Sequence, residues 1–394
     1  MTETATRFPM QRTGCPFDPP PELRRREPIS RITLWNGTQP WLITSYADIR
    51  TVLADPRVSS DTDLPGFPHH SEASAARRAR VKSFISMDDP QHAAVRRMLT
   101  GRFTIRRVEA MRPRIQQIVD DLIDAMLAGP KPVDLVQAFA LPVPSLVICE
   151  LLGVPYADRD FFHQASRMVI NWTSSRQAVL RATEELNAYL VDLVRAKEKN
   201  PADDLISTLV EKRQATVEEI AATAQLLLVA GHETTANMIA LGTVALLGNP
   251  DQLAELRDST DPAVVTSAVE ELLRYLTIVH SGRRRVAKED IEIGGRLIRA
   301  GEGIICATDA GNRDDEAFPD PDTLDIHRSA RHHLAFGYGV HQCLGQPLAR
   351  VELSVVYSTL YRRIPTLESA VPLDDLPFKH DMLVYGVHVL PIRW

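Results

Sequence analysis

Apolar residues recur every three to four positions through most of the chain, the period of helices that bury one face. On that ground ADIRTVLAD (47–55), PRIQQIVDDLIDAMLAG (113–129), LVICELLG (146–153), TEELNAYLVDLVRAKEK (183–199) and SAVEELLRYL (267–276) read as helices. Two stretches read differently. ISRITLWNGTQPWLITS (29–45) sets two β-prone runs around Asn36-Gly37, a strong hairpin turn, and EDIEIGGRLIRAGEGIICA (289–307) does the same around Gly294-Gly295. The tail from 365 to 394 reads as loops and short strands. No repeat, low-complexity linker or composition break divides the chain. The expectation is one large domain over 1–394, mainly α, with a small β portion around 30–45, 286–306 and 365–394.

The longest helical run is VEEIAATAQLLLVAGHETTANMIALGTVALLG (217–248), which would extend about 50 Å at 1.5 Å per residue, the width of a domain. A membrane span is the rival reading. Its middle, Gly231-His232-Glu233-Thr234-Thr235-Ala236-Asn237, is polar, which is costly in lipid but suits a helix that crosses a protein interior beside a wet cavity. Two threonines after a glycine can return hydroxyl hydrogen bonds to the preceding turn and bend the helix there. HETTA also invites comparison with the zinc-protease pattern H-E-x-x-H, but Ala236 stands where the second histidine belongs.

Composition narrows the class. With 394 residues, 44% hydrophobic and a formal charge of −6, the chain can bury a large core and lacks the basic balance of a general nucleic-acid binder. Its start has no basic region followed by an apolar core, and no run of 18 apolar residues occurs, so a cytoplasmic location without a membrane partner is expected. From Arg77 to Arg114, eleven Arg or Lys face three acids, a local +8 that is either a solvated helical face or a docking patch for an acidic partner. The four cysteines, Cys15, Cys149, Cys306 and Cys343, lie far apart, which argues against disulfides, zinc and iron–sulfur clusters. Nucleotide motifs fail too: GYGVHQCLG has Gln342 where G-x-G-x-x-G needs its third glycine, and the chain has no Gly-Lys dipeptide. A redox enzyme of this sequence would take electrons from a separate protein.

HHLAFGYGVHQCLGQPLAR (332–350) concentrates the special residues. Apolar positions 344, 348, 351 and 355 mark one face of a helix that begins at or just after Cys343, with Pro347 tolerated in its first turn. A cysteine at a helix start has its thiolate favoured by free N–H groups and the positive end of the dipole. Glycines before it let the backbone pass close to a flat, bulky ligand. A lone cysteine is more often a small buried hydrophobe than a ligand, and here the surrounding pattern reverses that preference.

At these residues the chain resembles the cytochromes P450, haem-thiolate monooxygenases of the soluble bacterial type. FGYGVHQCLG is similar to the family's haem-binding signature, which makes Cys343 the axial iron ligand, with Phe336, Gly337 and Gly345 around it. AGHETT resembles its central-helix signature and implies Glu233 and Thr234 as the acid and alcohol of oxygen activation. Glu271 and Arg274 match its E-x-x-R pair, with Arg328 as third member of a structural ion lock. His92 and Arg96, Arg285 and His341 match the contacts to the haem carboxylates. That leaves Arg97, Arg102, Arg106 and Arg107 as candidates for docking an acidic ferredoxin.

The resemblance therefore implies the P450 fold, haem b (iron protoporphyrin IX), O2 as co-substrate, and a separate ferredoxin and ferredoxin reductase. It places Phe84, Ile85, Val169, Ile170, Trp172, Leu227, Ala230, Ile278, Val279 and Leu383 along an apolar substrate pocket. LLLVAGHETTAN, RYLTI and LDIHRSARHHLAFGYGVHQCLGQ resemble the subgroup that hydroxylates macrolides and other polyketides, secosteroids and xenobiotics. Arg283-Arg284-Arg285 departs from it, being more basic than such a pocket calls for; it either anchors a substrate carboxylate or reaches solvent. The expected function is hydroxylation of a bulky lipophilic molecule. Epoxidation or oxidative coupling on the same fold, and a haem sensor or carrier without turnover, are the alternatives; an intact Glu233-Thr234 pair argues against the last.

Overall fold

The computed structural model describes residues 8, 10, 12, 15–76 and 81–394. Of the basic stretch, Arg77, Arg78 and Arg80 lie outside them.

The central helix runs unbroken from Val217 to Leu247. A capping box starts it: Thr216 Oγ1 accepts from Glu219 N–H at 3.2 Å, and Glu219 Oε2 accepts from Thr216 N–H at 2.8 Å. Its apolar residues are buried nearly all round, because helices Pro142–Leu152, Arg176–Lys199 and Gln346–Arg363 pack against it. Gly242 makes one of these approaches feasible, since a Cβ there would lie 2.0 Å from the Tyr357 hydroxyl. That hydroxyl donates to Met238 O at 2.6 Å. No described helix is long and apolar enough to cross a membrane, and the helices packed round Val217–Leu247 make it one that runs through the protein interior.

Helix Gln346–Arg363 also packs along Ile105–Ala128, so the segment carrying Cys343 enters the main core directly. It begins three residues after the cysteine, with Pro347 in its first turn. Helix Pro262–Leu276 packs on Gln346–Arg363 in the same core.

The β portion forms three small sheets. In the largest, β1 (Ile29–Arg31), β2 (Trp41–Ile43), β8 (Gly303–Cys306), β5 (Arg283–Ala287) and β3 (Val58–Ser59) lie in the order β1-β2-β8-β5-β3. β1 and β2 are antiparallel, as Asn36-Gly37 predicts, and Gly37 turns at φ 79°. β6 (Ile291–Ile293) and β7 (Arg296–Ile298) form the second hairpin around Gly294 and Gly295, both at positive φ. β4 (Val133–Asp134), β10 (Pro391–Arg393) and β9 (Glu368–Ser369) make the third sheet, order β4-β10-β9. β3 and β4 fall outside the expected β segments, and β5 starts at 283, not 286. Two-residue strands carry no alternation to read; partners distant in sequence create them.

Candidate active site

Between the central helix and the cysteine loop lies a cavity with about 1320 Å³ of space between protein atoms, its mouth included. Cys343, Phe336, His341, Gly345, Arg96, Thr234, Leu227, Ala230, Phe84, Ile85, Ile278 and Val279 all face it. The lining thus assembles segments from five parts of the chain.

Cys343 is the one of the four cysteines on that wall; Cys149 and Cys306 are buried elsewhere and Cys15 is exposed. Its side chain is open to the cavity while protein surrounds it on every other side. Its backbone N–H donates to Phe336 O at 2.9 Å, which curls the loop beneath the cavity. Burial pushes the thiol up, against a hydrogen bond from the Gly345 backbone and the charges of Arg283, Arg96 and Arg350. The helix-start effect expected from the sequence is therefore present but smaller than desolvation.

The loop glycines divide their work. Gly337 and Gly339 take φ of 72° and 73°. A Cβ on Gly339 would lie 2.3 Å from Leu53 O, so this glycine serves close packing against protein rather than a ligand. A Cβ on Gly345 would sit 4.0 Å from Cys343 Sγ.

Positive charge gathers at one side of the cavity. Strand alternation puts Arg283 and Arg285 on one face of β5 and Arg284 on the other, where Arg284 Nη1 donates to Pro68 O. Arg96, on helix Gln91–Thr100, donates from Nη2 to Gln342 O at 2.7 Å. Arg283 Nη2 donates to Ala335 O at 3.0 Å, and its Nε has no partner. Arg285 lies just behind the wall, its Nη1 on Arg284 O, so Arg283 is the lining residue that the sequence reading left unassigned. None of Arg96, Arg283 and Arg285 forms an ion pair among the described residues. Burial lowers the affinity of Arg285 for its proton to about 10.

His341 accompanies them. Its Nε2 lies 3.0 Å from Ser60 Oγ, and its ring is 4.1 Å from that of His92. Burial first, then the charge of Arg285, holds His341 down at about 3. His92 stands behind it, with Nδ1 3.1 Å from Asp89 Oδ1 and a buried, unpartnered Nε2.

On the opposite wall Thr234 Oγ1 donates to Ala230 O at 2.6 Å. Glu233 does not line the cavity: adjacent helical residues point about 100° apart, so it is buried on another side of the helix with Oε1 3.6 Å from His232 Nε2. Burial raises its proton affinity, but His232, Lys379 and Arg167 outweigh that and bring Glu233 below the usual carboxylate range. Val169, Ile170, Trp172 and Leu383 also lie off the cavity. Ile170, Trp172 and Leu383 form a junction in which the backbone N–H of Leu383 donates to Ile170 O and that of Trp172 to Asp381 O, with the Trp172 ring stacked on His280. The tail pairs with the end of helix Arg159–Ile170 and draws these side chains away.

Glu271, Arg274 and Arg328 do meet. Arg274 donates from Nε and Nη2 to Glu271 at 2.7 and 2.8 Å, and Arg328 Nε adds a bond at 3.2 Å. A second network escaped the sequence reading: Glu270 accepts from Arg350 Nε at 2.5 Å and contacts His333 Nε2 at 3.1 Å, and these partners hold it at about 2 despite burial. Arg350 also lies 4.7 Å over the Phe336 ring, which ties the cysteine loop to two helices. The adjacent acids in EELLRY are the sequence signal for two such networks, one for each glutamate.

Arg102, offered above for docking, is committed inside the molecule: it donates to Asp203 at 3.1 Å and to Thr208. Arg97, Arg106 and Arg107 are exposed.

The family model described as Cytochrome P450 matches residues 24–365. The chain is 55% identical over 401 residues to cytochrome P450 GfsF of Streptomyces halstedii, covering 100% of this chain and 97% of that protein. It is 46% identical to a vitamin D3 dihydroxylase of Streptomyces griseolus, covering both in full. The crystal structure of the mycinamicin VIII C21 methyl hydroxylase MycCI of Micromonospora griseorubida, bound to mycinamicin VIII, matches with a TM-score of 0.92 at 41% identity, over 99% of this chain and 100% of that one. With a cysteine facing a cavity rimmed by unpaired arginines, in a helical core these proteins share, the chain belongs to the cytochrome P450 monooxygenases.

Proposed function

We propose that the protein uses O2, and electrons from a separate ferredoxin and its reductase in the cytoplasm, to hydroxylate a bulky lipophilic small molecule of polyketide, steroid-like or xenobiotic type. The observation that carries this reading is Cys343 facing a cavity lined by Arg96 and Arg283, with Arg285 just behind the wall, three guanidinium groups without a carboxylate partner among the described residues. Haem b fits that rim: it brings two carboxylates, which the arginines and the unpartnered His92 Nε2 suit. Cys343 would hold the iron, and Arg96, Arg285, His341 and His92 the carboxylates. When bound, haem supplies an iron–thiolate centre whose sulfur donor favours O–O cleavage.

Around it, the chain's own groups orient substrate and manage protons. Leu227, Ala230, Phe84, Ile278 and Val279 exclude water and hold an apolar substrate over the centre. Thr234 gives its hydroxyl hydrogen to Ala230 O and so turns lone pairs to the cavity, where it can accept a hydrogen bond from a protonated oxygen. Glu233, ionised behind it, takes a proton at Oε1 and returns it through water. The test of the assignment is the absorption spectrum of the reduced protein under carbon monoxide: a strongly red-shifted Soret band supports thiolate-bound haem, and its absence from freshly folded protein refutes it. Spectral titration with vitamin D3 and a macrolide then tests the substrate class.

Two outcomes follow. Thr234→Ala should keep haem but release hydrogen peroxide in place of product, with product per NADPH falling about tenfold or more; an unchanged ratio would remove the role of Thr234. Reversing the charge of exposed Arg106 and Arg107 to Glu should slow reduction by ferredoxin more at low than at high ionic strength, because exposed charges are screened beyond about 10 Å at 0.1 M salt. Equal rates at low salt would remove this face as the docking site.

A further inference from the structure

Residues 277–282 join helix Pro262–Leu276 to β5, and within them Ile278 and Val279 line the cavity. The chain turns toward the cavity at Thr277, the residue after the helix, which takes φ 34° and ψ 72°. Left-handed backbone is strained for a β-branched residue, because its side chain crowds the following carbonyl. Such a residue stays there only where its surroundings hold it. Thr277 is buried as well.

The clamps come from distant parts of the chain. Thr277 Oγ1 donates to Arg274 O and accepts from Asn312 Nδ2, both at 2.8 Å. Arg12, 5% exposed, donates from Nη1 to Leu276 O at 3.3 Å and from Nη2 to Thr277 O at 3.2 Å. Its guanidinium lies 4.2 Å from the centre of the Tyr385 ring, and the Tyr385 backbone N–H donates to Ile278 O at 2.7 Å. On the far side of the two wall residues, His280 Nε2 donates to Met382 O at 2.8 Å. Three successive carbonyls, of Leu276, Thr277 and Ile278, are thus held from outside. Arg12 holds the first two from 264 and 265 residues away in sequence. Neither Arg12 nor Thr277 is itself on the cavity wall.

We propose that Arg12 and Thr277 are positioning residues for substrate selection, which together fix how far Ile278 and Val279 project over the cavity. Released from its clamps, the backbone at 277 relaxes toward negative φ, and rotation there swings the two residues that follow. The N-terminal segment, which touches no substrate, therefore sets the shape of the wall that does. The proposal rests on the haem reading of this cavity, since the wall is measured from the iron.

Two azoles read the wall. Imidazole binds ferric iron through a ring nitrogen and is too small to press on the lining, so it reports the iron site alone. The compound 4-phenylimidazole adds a ring that packs against the apolar lining. The ratio of their dissociation constants, from Soret titrations of the ferric holoprotein, isolates the wall. Arg12→Met keeps an apolar stem on Tyr385 but removes the donors; Thr277→Gly removes the hydroxyl clamp and frees the backbone to leave the turn. Each should weaken 4-phenylimidazole about tenfold while imidazole stays within about twofold of the parent, the signature of lost apolar contact beside an intact iron site. Thr277→Asn, tolerant of left-handed backbone and carrying an oxygen for Asn312, should keep the parental ratio. A merely structural role would lower Tm without moving the ratio. A parental ratio in Thr277→Gly, or in folded Arg12→Met, overturns the proposal, and so does a Thr277→Asn protein that behaves like Thr277→Gly. The carbon monoxide spectrum separates this failure from that of the haem reading: a parent with the red-shifted band and variants with an unmoved ratio sink only the positioning role, whereas a parent without the band sinks both.

Discussion

Cys343→His should abolish the red-shifted carbon monoxide band and cut monooxygenase turnover by on the order of a thousandfold, about 4 kcal/mol of barrier. An imidazole is a neutral donor and supplies less electron density toward O–O cleavage than a thiolate. It also changes the charge balance, because the arginine-rich rim would then face a centre that has lost one negative charge. The geometry leaves no substitute among the other thiols: Cys149 and Cys306 lie off the wall and burial pushes both up to about 12, while Cys15 is exposed and does not line the cavity. The spectrum of the reduced variant under carbon monoxide, with haem content from a denatured sample, checks this. Survival of the parental band would mean that the ligand is another group.

Arg274→Leu should destabilise the protein by about 3–5 kcal/mol, the usual effect of breaking a buried ion pair from one side. Arg274 is fully buried, and its guanidinium donates to Glu271 and to the carbonyls of Asn312, Pro321 and Thr323. Leucine removes all of these bonds and leaves those acceptors desolvated. With an unfolding entropy of about 2 cal/mol/K per residue, the lower bound corresponds to a fall in Tm of roughly 4 °C. The effect should reach the cysteine loop, because Asn312 Oδ1 also accepts from Leu334 N–H at 2.7 Å. Thermal unfolding and haem retention of the purified variant test it. A Tm within a degree of the parent, with full haem content, would show that this lock is dispensable.

Local signals were reliable where neighbours in sequence decide the outcome. The Asn36-Gly37 and Gly294-Gly295 hairpins, the central helix and the helix after Cys343 all follow from turn chemistry or apolar period within a few residues. The apolar pocket was only partly legible. Phe84, Leu227, Ala230, Ile278 and Val279 reach the cavity, but Val169 does not, and Ile170, Trp172 and Leu383 are pulled into a junction that depends on pairing between segments about 210 residues apart, such as Asn171 and Asp381. Arg283 could be flagged as excess charge but not aimed, since its direction depends on the register of β5 against β8.

By itself, the sequence determined the helical class, the two hairpins, the cysteine loop, and the acids and arginines available for chemistry. These are set by spacing along the chain, where a side chain's direction follows from the local period. Only the tertiary structure decided which of those groups meet and which remain unsatisfied. Glu271 and Glu352 are both glutamates in apolar helical stretches, and only the fold gives one of them two arginines and the other an unpartnered oxygen. The proton affinity and function of a buried group depend on its desolvation and on its partners, and both are supplied by residues far away in the chain.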